Sequence, residues 1–129
     1  MMNTSAKVAV VTGAARGIGL AIARKFLTGN YRVALLDIDA ATLAQSAGSL
    51  AESSAMVIVC DVADPQQVRS AIDGVTARFG RIDALVNNAG IALFKPMLET
   101  TFDEWQRVLA VNLSGPFLCT QACAPVMLR

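Results

Sequence analysis

Histidine is absent from this sequence of 129 residues, and tyrosine, tryptophan and cysteine are scarce. A serine–histidine–aspartate triad is therefore excluded, and so are most zinc sites, which use histidine or clustered cysteines. The three cysteines, Cys60, Cys119 and Cys123, show neither the spacing of zinc ligands nor the pattern of a disulfide framework. We expect them to be buried free thiols, and we predict no metal site.

Charge is scarce as well. Aspartate, glutamate, lysine and arginine make up 16% of the residues, the net charge is +1, and like charges do not form blocks. This pattern lacks the basic surface that nucleic-acid binding requires. Hydrophobic residues make up 54% of the chain, which is typical of a sheet that is buried on both faces.

Two segments bear on the location of the protein. The first six residues contain no apolar signal region. Residues 108–128 carry no charge, but a membrane-spanning helix needs about 20 mainly apolar residues. Polar residues and prolines interrupt this stretch at Asn112, Ser114, Pro116, Thr120, Gln121 and Pro125. We therefore predict a cytoplasmic protein with neither a membrane nor a nucleic-acid partner.

Short apolar runs alternate with segments of helical periodicity along the whole chain. The runs predict strands at residues 7–12, 32–36, 56–60 and 82–86. Helices are predicted at residues 17–28, 40–52 and 65–79, and a long last helix starts near residue 101. Asp64 before Pro65, and Thr101 before Glu104, have the spacing of helix N-terminal caps.

This alternation predicts an α/β fold, because strands that are joined through helices pair in parallel by right-handed crossovers. The expected order is 3-2-1-4, the first half of a doubly wound Rossmann-type sheet with helices on both faces. The fourth strand would remain an apolar edge, and the last helix has no C-terminal cap signal. We therefore expect residues 1–129 to be a single Rossmann-type domain that is truncated at its C-terminus.

A glycine-rich loop lies between the first strand and the first helix and reads TGAARGIG. Glycines at such a junction allow a tight turn, and the N-terminus of the helix attracts a pyrophosphate. Three residues separate the first two glycines, rather than the single residue of the usual fingerprint. The alternative is a plain tight turn with close packing of strand and helix. The predicted cofactor contacts in this loop are Thr12, Gly13, Arg16, Gly17, Ile18 and Gly19.

Asp37 follows the second predicted strand and is the candidate for selecting the cofactor. A carboxylate there can accept hydrogen bonds from the adenosine ribose, and it would repel a 2′-phosphate. Ile38 is a second predicted contact, whereas Asp39 lies beyond the strand end. Asp37 could instead cap the next helix, and Arg16 could receive a 2′-phosphate. Weighing these, we predict NAD as the cofactor, with NADP less favoured.

Four motifs in order resemble the classical short-chain dehydrogenase/reductase family over the whole chain. They are TGAARGIG at residues 12–19, Asp61-Val62, Asn87-Asn88-Ala89-Gly90, and Val111-Asn112-Leu113. The resemblance implies that Asp61 accepts from the adenine amino group and that Val62 packs on the ring. It implies further contacts at the two riboses from Asn88, Ala89, Gly90 and Val111. The asparagines could equally be a structural pair at the end of a strand.

Asn112 is the one residue of the family's catalytic set that the sequence contains. Pro116 has no N–H to donate to the carbonyl of Asn112, so the helix should kink there and leave that carbonyl free. In the family a similarly free carbonyl holds a water molecule of a proton relay. The alternative is a kinked helix that serves packing alone.

The family's catalytic serine, and its tyrosine and lysine spaced as Tyr-x-x-x-Lys, have no match here. The only tyrosine, Tyr31, has Leu35 four residues later. The resemblance thus implies a parent enzyme that transfers hydride between NAD(H) and a small alcohol or carbonyl substrate, whereas this chain alone should be inactive. A polyol or sugar dehydrogenase is favoured over an NADPH-dependent 3-oxoacyl-thioester reductase. A non-catalytic dinucleotide-binding module and an interaction protein remain alternatives.

The last predicted helix bears on assembly. In the family, the helix that starts at the position of Thr101 pairs across a subunit interface. The resemblance therefore implies that the parent is a homo-oligomer, either a tetramer or a dimer.

Overall fold

The computed structural model describes residues 6–129 and contains one sheet of four parallel strands. Their order is β3-β2-β1-β4, as the sequence predicts. The strands are β1 (Val8–Thr12), β2 (Arg32–Asp37), β3 (Ala55–Val59) and β4 (Ala84–Val86). Because all four run in one direction, their carboxyl ends share one edge of the sheet, which is where ligands bind in folds of this kind.

The helices alternate with the strands. They are α1 (Gly17–Thr28), α2 (Ala40–Ala47), α3 (Pro65–Phe79), α4 (Phe102–Leu109) and α5 (Gly115–Met127). A short 3-10 helix, Met97–Glu99, precedes α4 and was not foreseen from the sequence. Within residues 6–129, no helix is both long enough and apolar enough to cross a membrane.

Two apolar cores, one on each face of the sheet, hold the layers together. Successive residues of a strand point to opposite faces. Val8 and Val10 of β1 therefore pack with α3 and α5, whereas Ala9 and Val11 pack with α1 and α2. Every residue of β1 is buried, and so is almost all of β2. The prediction of helices on both faces is confirmed.

The sequence placed several boundaries a few residues away from where they lie. Helix α2 ends at Ala47 instead of residue 52, and Gly48 forms its C-cap. Strand β4 begins at Ala84 instead of residue 82. Before it, Asp83 Oδ2 accepts a hydrogen bond of 2.8 Å from the backbone N–H of Val8, so a carboxylate takes a position that a ladder carbonyl would otherwise occupy.

The predicted helix caps are in place. Asp64 Oδ1 accepts from the backbone N–H of Gln66 at 2.9 Å, and Pro65 occupies the first turn of α3. Thr101 and Glu104 form a reciprocal capping box at the start of α4. At the end of α1, however, the left-handed backbone conformation belongs to Asn30, with φ of 63°, and not to Gly29.

The long last helix is interrupted where the sequence predicts a kink. Residues Ala110–Ser114 form a π-helical turn between α4 and α5, and the N–H of Gly115 donates to the carbonyl of Ala110, five residues earlier. Pro116 follows directly and cannot donate in the α-helical register. The chain accommodates the missing donor by widening one turn, a common device in helices near functional sites.

The fully buried Leu35 of β2 gives a test of the core. Leu35→Ala should lower the free energy of unfolding by about 2–5 kcal/mol, because it removes buried methyl groups and leaves a cavity. Urea denaturation measures this change. Leu98→Ala is the matched control, since Leu35 is 0% exposed and Leu98 is 100% exposed. Equal effects of the two substitutions would contradict the described core.

Candidate functional site

A cleft of about 660 Å³ opens at the carboxyl edge of the sheet. Segments that follow β1, β2, β3 and β4 all contribute to its walls, together with the helix that carries Val111. It is lined by all but two of the residues that the sequence predicts as cofactor contacts. Those lining it are Gly13, Arg16, Gly17, Ile18, Asp37, Ile38, Asp61, Val62, Asn88, Ala89, Gly90 and Val111.

The glycine loop forms the floor of this cleft at the start of α1. Gly13 and Gly17 adopt left-handed conformations, with φ of 62° and 58°, which favour glycine. A Cβ on Gly17 would meet no atom within 4 Å, so this glycine faces open space. No side chain caps the N-terminus of α1. The loop thus has the shape and the polarity that fit a diphosphate at a helix N-terminus.

Gly19 and Thr12 lie behind the loop and do not line the cleft. A Cβ on Gly19 would stand 2.1 Å from the carbonyl oxygen of Gly13, so only glycine fits there. The Thr12 hydroxyl is buried and accepts hydrogen bonds from the backbone N–H groups of Asn88 and Ala89, each at 3.0 Å. Gly19 therefore allows the close approach of the loop, and Thr12 holds the segment after β4. Direct contact of either residue with a cofactor stays a prediction.

Asp37 ends β2 beside the loop. Its Oδ2 accepts from the backbone N–H of Ala15 at 3.0 Å, and its Oδ1 accepts from the backbone N–H of Asp39 at 3.0 Å. The alternative role that the sequence left open, capping α2, belongs instead to Asp39, whose side chain accepts from the N–H of Thr42. Asp37 is thus held with its carboxylate at the cleft wall.

Arg16 is held by an ion pair with Asp39 and also donates to the hydroxyl of Thr42 at 3.3 Å. Hydrogen bonds from the Thr42 backbone and hydroxyl, together with the nearby Arg16 charge, lower the pKa of Asp39. Asp39 therefore remains ionised at neutral pH. The one arginine of the loop has a carboxylate partner within the chain.

Asp61 lies two residues beyond β3, the neighbour of β2 in the sheet, and lines the same cleft. Its Oδ1 accepts from the backbone N–H of Ala63 at 3.0 Å, and its Oδ2 accepts from Arg107 Nη1 at 3.1 Å. The neighbouring Val62 and, on the π-helical turn, Val111 are buried and give this wall an apolar surface. The Asp61 carboxylate, a hydrogen-bond acceptor beside two apolar side chains, suits a flat aromatic ring that carries a hydrogen-bond donor on its edge.

The asparagines hold backbone segments. Asn88 Nδ2 donates to the carbonyls of Thr12 and Gly13, at 3.1 Å each. The Asn112 side chain both accepts from the N–H and donates to the carbonyl of Ile91, at 2.8 Å each. Asn88 lines the cleft, whereas Asn112 does not line it and instead holds the backbone of the segment after Gly90.

Four residues of the cleft are not among the predicted contacts: Asp39, Cys60, Ile91 and Arg107. Burial, with smaller contributions from neighbouring groups, raises the pKa of Cys60 to about 11, so its sulfur is a thiol at neutral pH and a poor nucleophile. Arg107 precedes Val111 by four residues, so the two share one face of the helix. That spacing from a motif residue was the available signal.

Tyr31 lies far from the cleft in the fold. It immediately precedes β2, at the amino end of the strand, and packs against Phe26 with 4.8 Å between ring centroids. The residues lining the cleft include no serine, tyrosine or lysine.

The Thr12 hydroxyl provides a test of how the site is held. Thr12→Val should lower the free energy of unfolding by about 1–3 kcal/mol in total, because two partly buried N–H groups lose their acceptor. Thr12→Ser keeps the acceptor and is the matched control. Chemical denaturation of both variants measures the difference, and a valine variant as stable as the serine variant would refute this role.

The comparisons with known proteins agree with this geometry. The chain is 47% identical over 127 residues to D-threitol dehydrogenase of Mycolicibacterium smegmatis, covering 95% of this chain and 48% of that protein. The 3-ketoacyl-(acyl-carrier-protein) reductase of Brucella melitensis, solved with NADH, superposes with a TM-score of 0.89 at 31% identity, covering 96% of this chain and 51% of that one. A blue fluorescent protein from a metagenomic library, solved with NADPH, gives 0.87 at 37% identity, covering 97% and 53%.

The chain thus spans about half the length of each of these relatives. The model of the short chain dehydrogenase family matches residues 7–129, nearly the whole sequence. This match, the motifs at the ends of the strands and the cleft that they line agree with one another. The chain belongs to the short-chain dehydrogenase/reductase family.

Proposed function

We propose that this chain is the nucleotide-binding part of an NAD(H)-dependent oxidoreductase that transfers hydride between a small alcohol and the corresponding carbonyl compound. The observation that carries the proposal is the cleft at the carboxyl edge of the sheet, which an uncapped helix N-terminus, Asp37 and Asp61 line together. The similarity to D-threitol dehydrogenase supports a polyol or a similar alcohol as substrate.

Each part of the cleft has a task in holding a dinucleotide. The loop at Gly13 and Gly17 receives the pyrophosphate through backbone N–H groups. Asp37 accepts from the ribose hydroxyls of the adenosine half, and Asp61 accepts from the edge of the base. The bound nicotinamide supplies the site that gives or takes the hydride. The side chain of Asn112 fixes the backbone at Ile91, next to that end of the cleft.

Two features favour NAD over NADP. The Asp37 carboxylate at the cleft wall would repel a 2′-phosphate. Arg16, the loop residue that could attract such a phosphate, is paired with Asp39 and Thr42. A phosphate would have to displace a carboxylate that already neutralises the arginine. One solved relative carries NADH and another carries NADPH, so membership of the family does not by itself select the cofactor, and we assign the selection to these local charges.

Hydride transfer to or from an alcohol also requires a group that moves a proton. Cys60 keeps its proton because burial raises the pKa of its thiol to about 11. Neither it nor the carboxylates that hold the cofactor suit this task. We therefore propose that the proton-transferring residues are supplied from outside these 129 residues, and that the chain by itself binds the cofactor without turnover.

Absence of turnover is the first test. The 129-residue chain, incubated with NAD and a panel of polyols, should produce no NADH, followed by its absorbance. Calorimetric titration with NAD on the same sample should show binding, which is the control for a folded site. Turnover at an ordinary enzymatic rate of about 1–10³ s⁻¹ would contradict the proposal. Folded protein without NAD binding would instead favour an interaction protein.

Cofactor selection is the second test. Asp37→Ser should reduce the affinity for NAD relative to NADP by about tenfold, because a charged hydrogen bond to the ribose is lost and the repulsion of the 2′-phosphate is relieved. Calorimetry with both dinucleotides measures the ratio. Asp73→Ser removes the same charge from the exposed face of α3 and should leave the ratio unchanged. An unaltered ratio in Asp37→Ser would remove this residue as the selector.

A further inference from the structure

We propose that Arg107 is a positioning residue for base recognition: it fixes the Asp61 carboxylate so that the cleft accepts a 6-aminopurine and rejects a 6-oxopurine. The inference rests on the proposed binding of a dinucleotide and assigns the specificity of its base. Arg107 would act through Asp61 and need not touch the ligand itself.

The carboxylate of Asp61 is held from two directions. The backbone N–H of Ala63 donates to Oδ1 at 3.0 Å, and Arg107 Nη1 donates to Oδ2 at 3.1 Å. The first contact is local in sequence, whereas the second comes from α4, 46 residues later. Each oxygen of the carboxylate therefore has a donor of its own. Without Arg107, rotation about the Cα–Cβ and Cβ–Cγ bonds would be restrained by Ala63 alone.

A fixed carboxylate distinguishes two purines that a mobile carboxylate would not. An ionised carboxylate only accepts hydrogen bonds. Adenine presents an amino donor at position 6, whereas hypoxanthine presents a carbonyl oxygen there and a donor N–H at the adjacent ring position. With hypoxanthine, a carboxylate that is free to rotate can accept from the ring N–H beside position 6. A carboxylate that is held at both oxygens stays opposite position 6, where it meets the carbonyl oxygen of hypoxanthine, which is also an acceptor.

The surroundings support this assignment. Val62 and Val111 are buried beside Asp61 and provide an apolar surface for a flat ring. Arg107 also lines a second hollow of about 330 Å³, with Ile91, Asp103 and Glu104 among its walls. Arg107 therefore borders both hollows, and it bonds Asp61 from α4.

The ion pair is too exposed to be a major element of stability. The side chains of Arg107 and Asp61 are 46% and 22% exposed, and pairs of this kind add little to folding. Substitution of Arg107 should therefore leave the protein folded. The thermal unfolding transition of each variant checks this directly before any affinity is compared.

The experiment compares NAD with nicotinamide hypoxanthine dinucleotide, which differs in the base and carries the same charge. Calorimetry gives the affinity ratio for the wild-type protein and for Arg107→Gln, Asp61→Asn and the double variant. We expect the wild type to prefer NAD by roughly tenfold or more, as for one charge-assisted hydrogen bond. Arg107→Gln should reduce the preference to about threefold or less, and in the Asp61→Asn background it should have no additional effect.

Arg69→Gln is the matched control, because it removes an arginine from the exposed face of α3, away from the cleft. It should keep the wild-type ratio. Equal weakening of both dinucleotides by Arg107→Gln, with the ratio intact, would show a general effect of charge and overturn the inference. A further loss of preference in the double variant would overturn it as well. Wild-type protein that binds neither dinucleotide would refute the proposed function and, with it, this inference.

Discussion

The whole site depends on one close approach at the end of β1, where there is no room for a Cβ. The carbonyl oxygen of Gly13 lies where a side chain of Gly19 would begin, and Asn88 Nδ2 donates to that same carbonyl. The strand end, the start of α1 and the segment after β4 are thereby joined within a few ångströms. Asp37 and Asp61 follow the neighbouring strands β2 and β3, and they line the same cleft as this junction because the parallel strands end at one edge of the sheet.

Much of this arrangement follows from the sequence. The buried strands are recognisable as apolar runs, and the helices between them require parallel pairing, so the strand order follows with few alternatives. The residues that follow each strand must then meet at one edge of the sheet. Twelve of the predicted contacts line the cleft for this reason, because their location depends on topology and not on fine packing.

The sequence does not show which hydrogen-bond or ion-pair partner a polar side chain takes when several are within reach. Asp37 and Asp39 are two residues apart and chemically identical, yet one holds the loop backbone and the other caps α2 and pairs with Arg16. Periodicity places Arg107 beside Val111 but does not reveal that its partner is Asp61. Strand β4 begins late because Asp83 bonds with Val8, a tertiary contact that no local pattern encodes.

The burial of all three thiols has a consequence for the chemical durability of the protein. Cys60, Cys119 and Cys123 lie in the core, and burial raises the pKa of each to about 11 or 12. Sulfur oxidation follows exposure and thiolate character. Peroxide should therefore attack the thioether of Met97, which is 83% exposed on the short 3-10 helix, well before any cysteine. Within residues 6–129, oxidative damage would begin on the surface next to α4 and leave the sheet and its cleft intact.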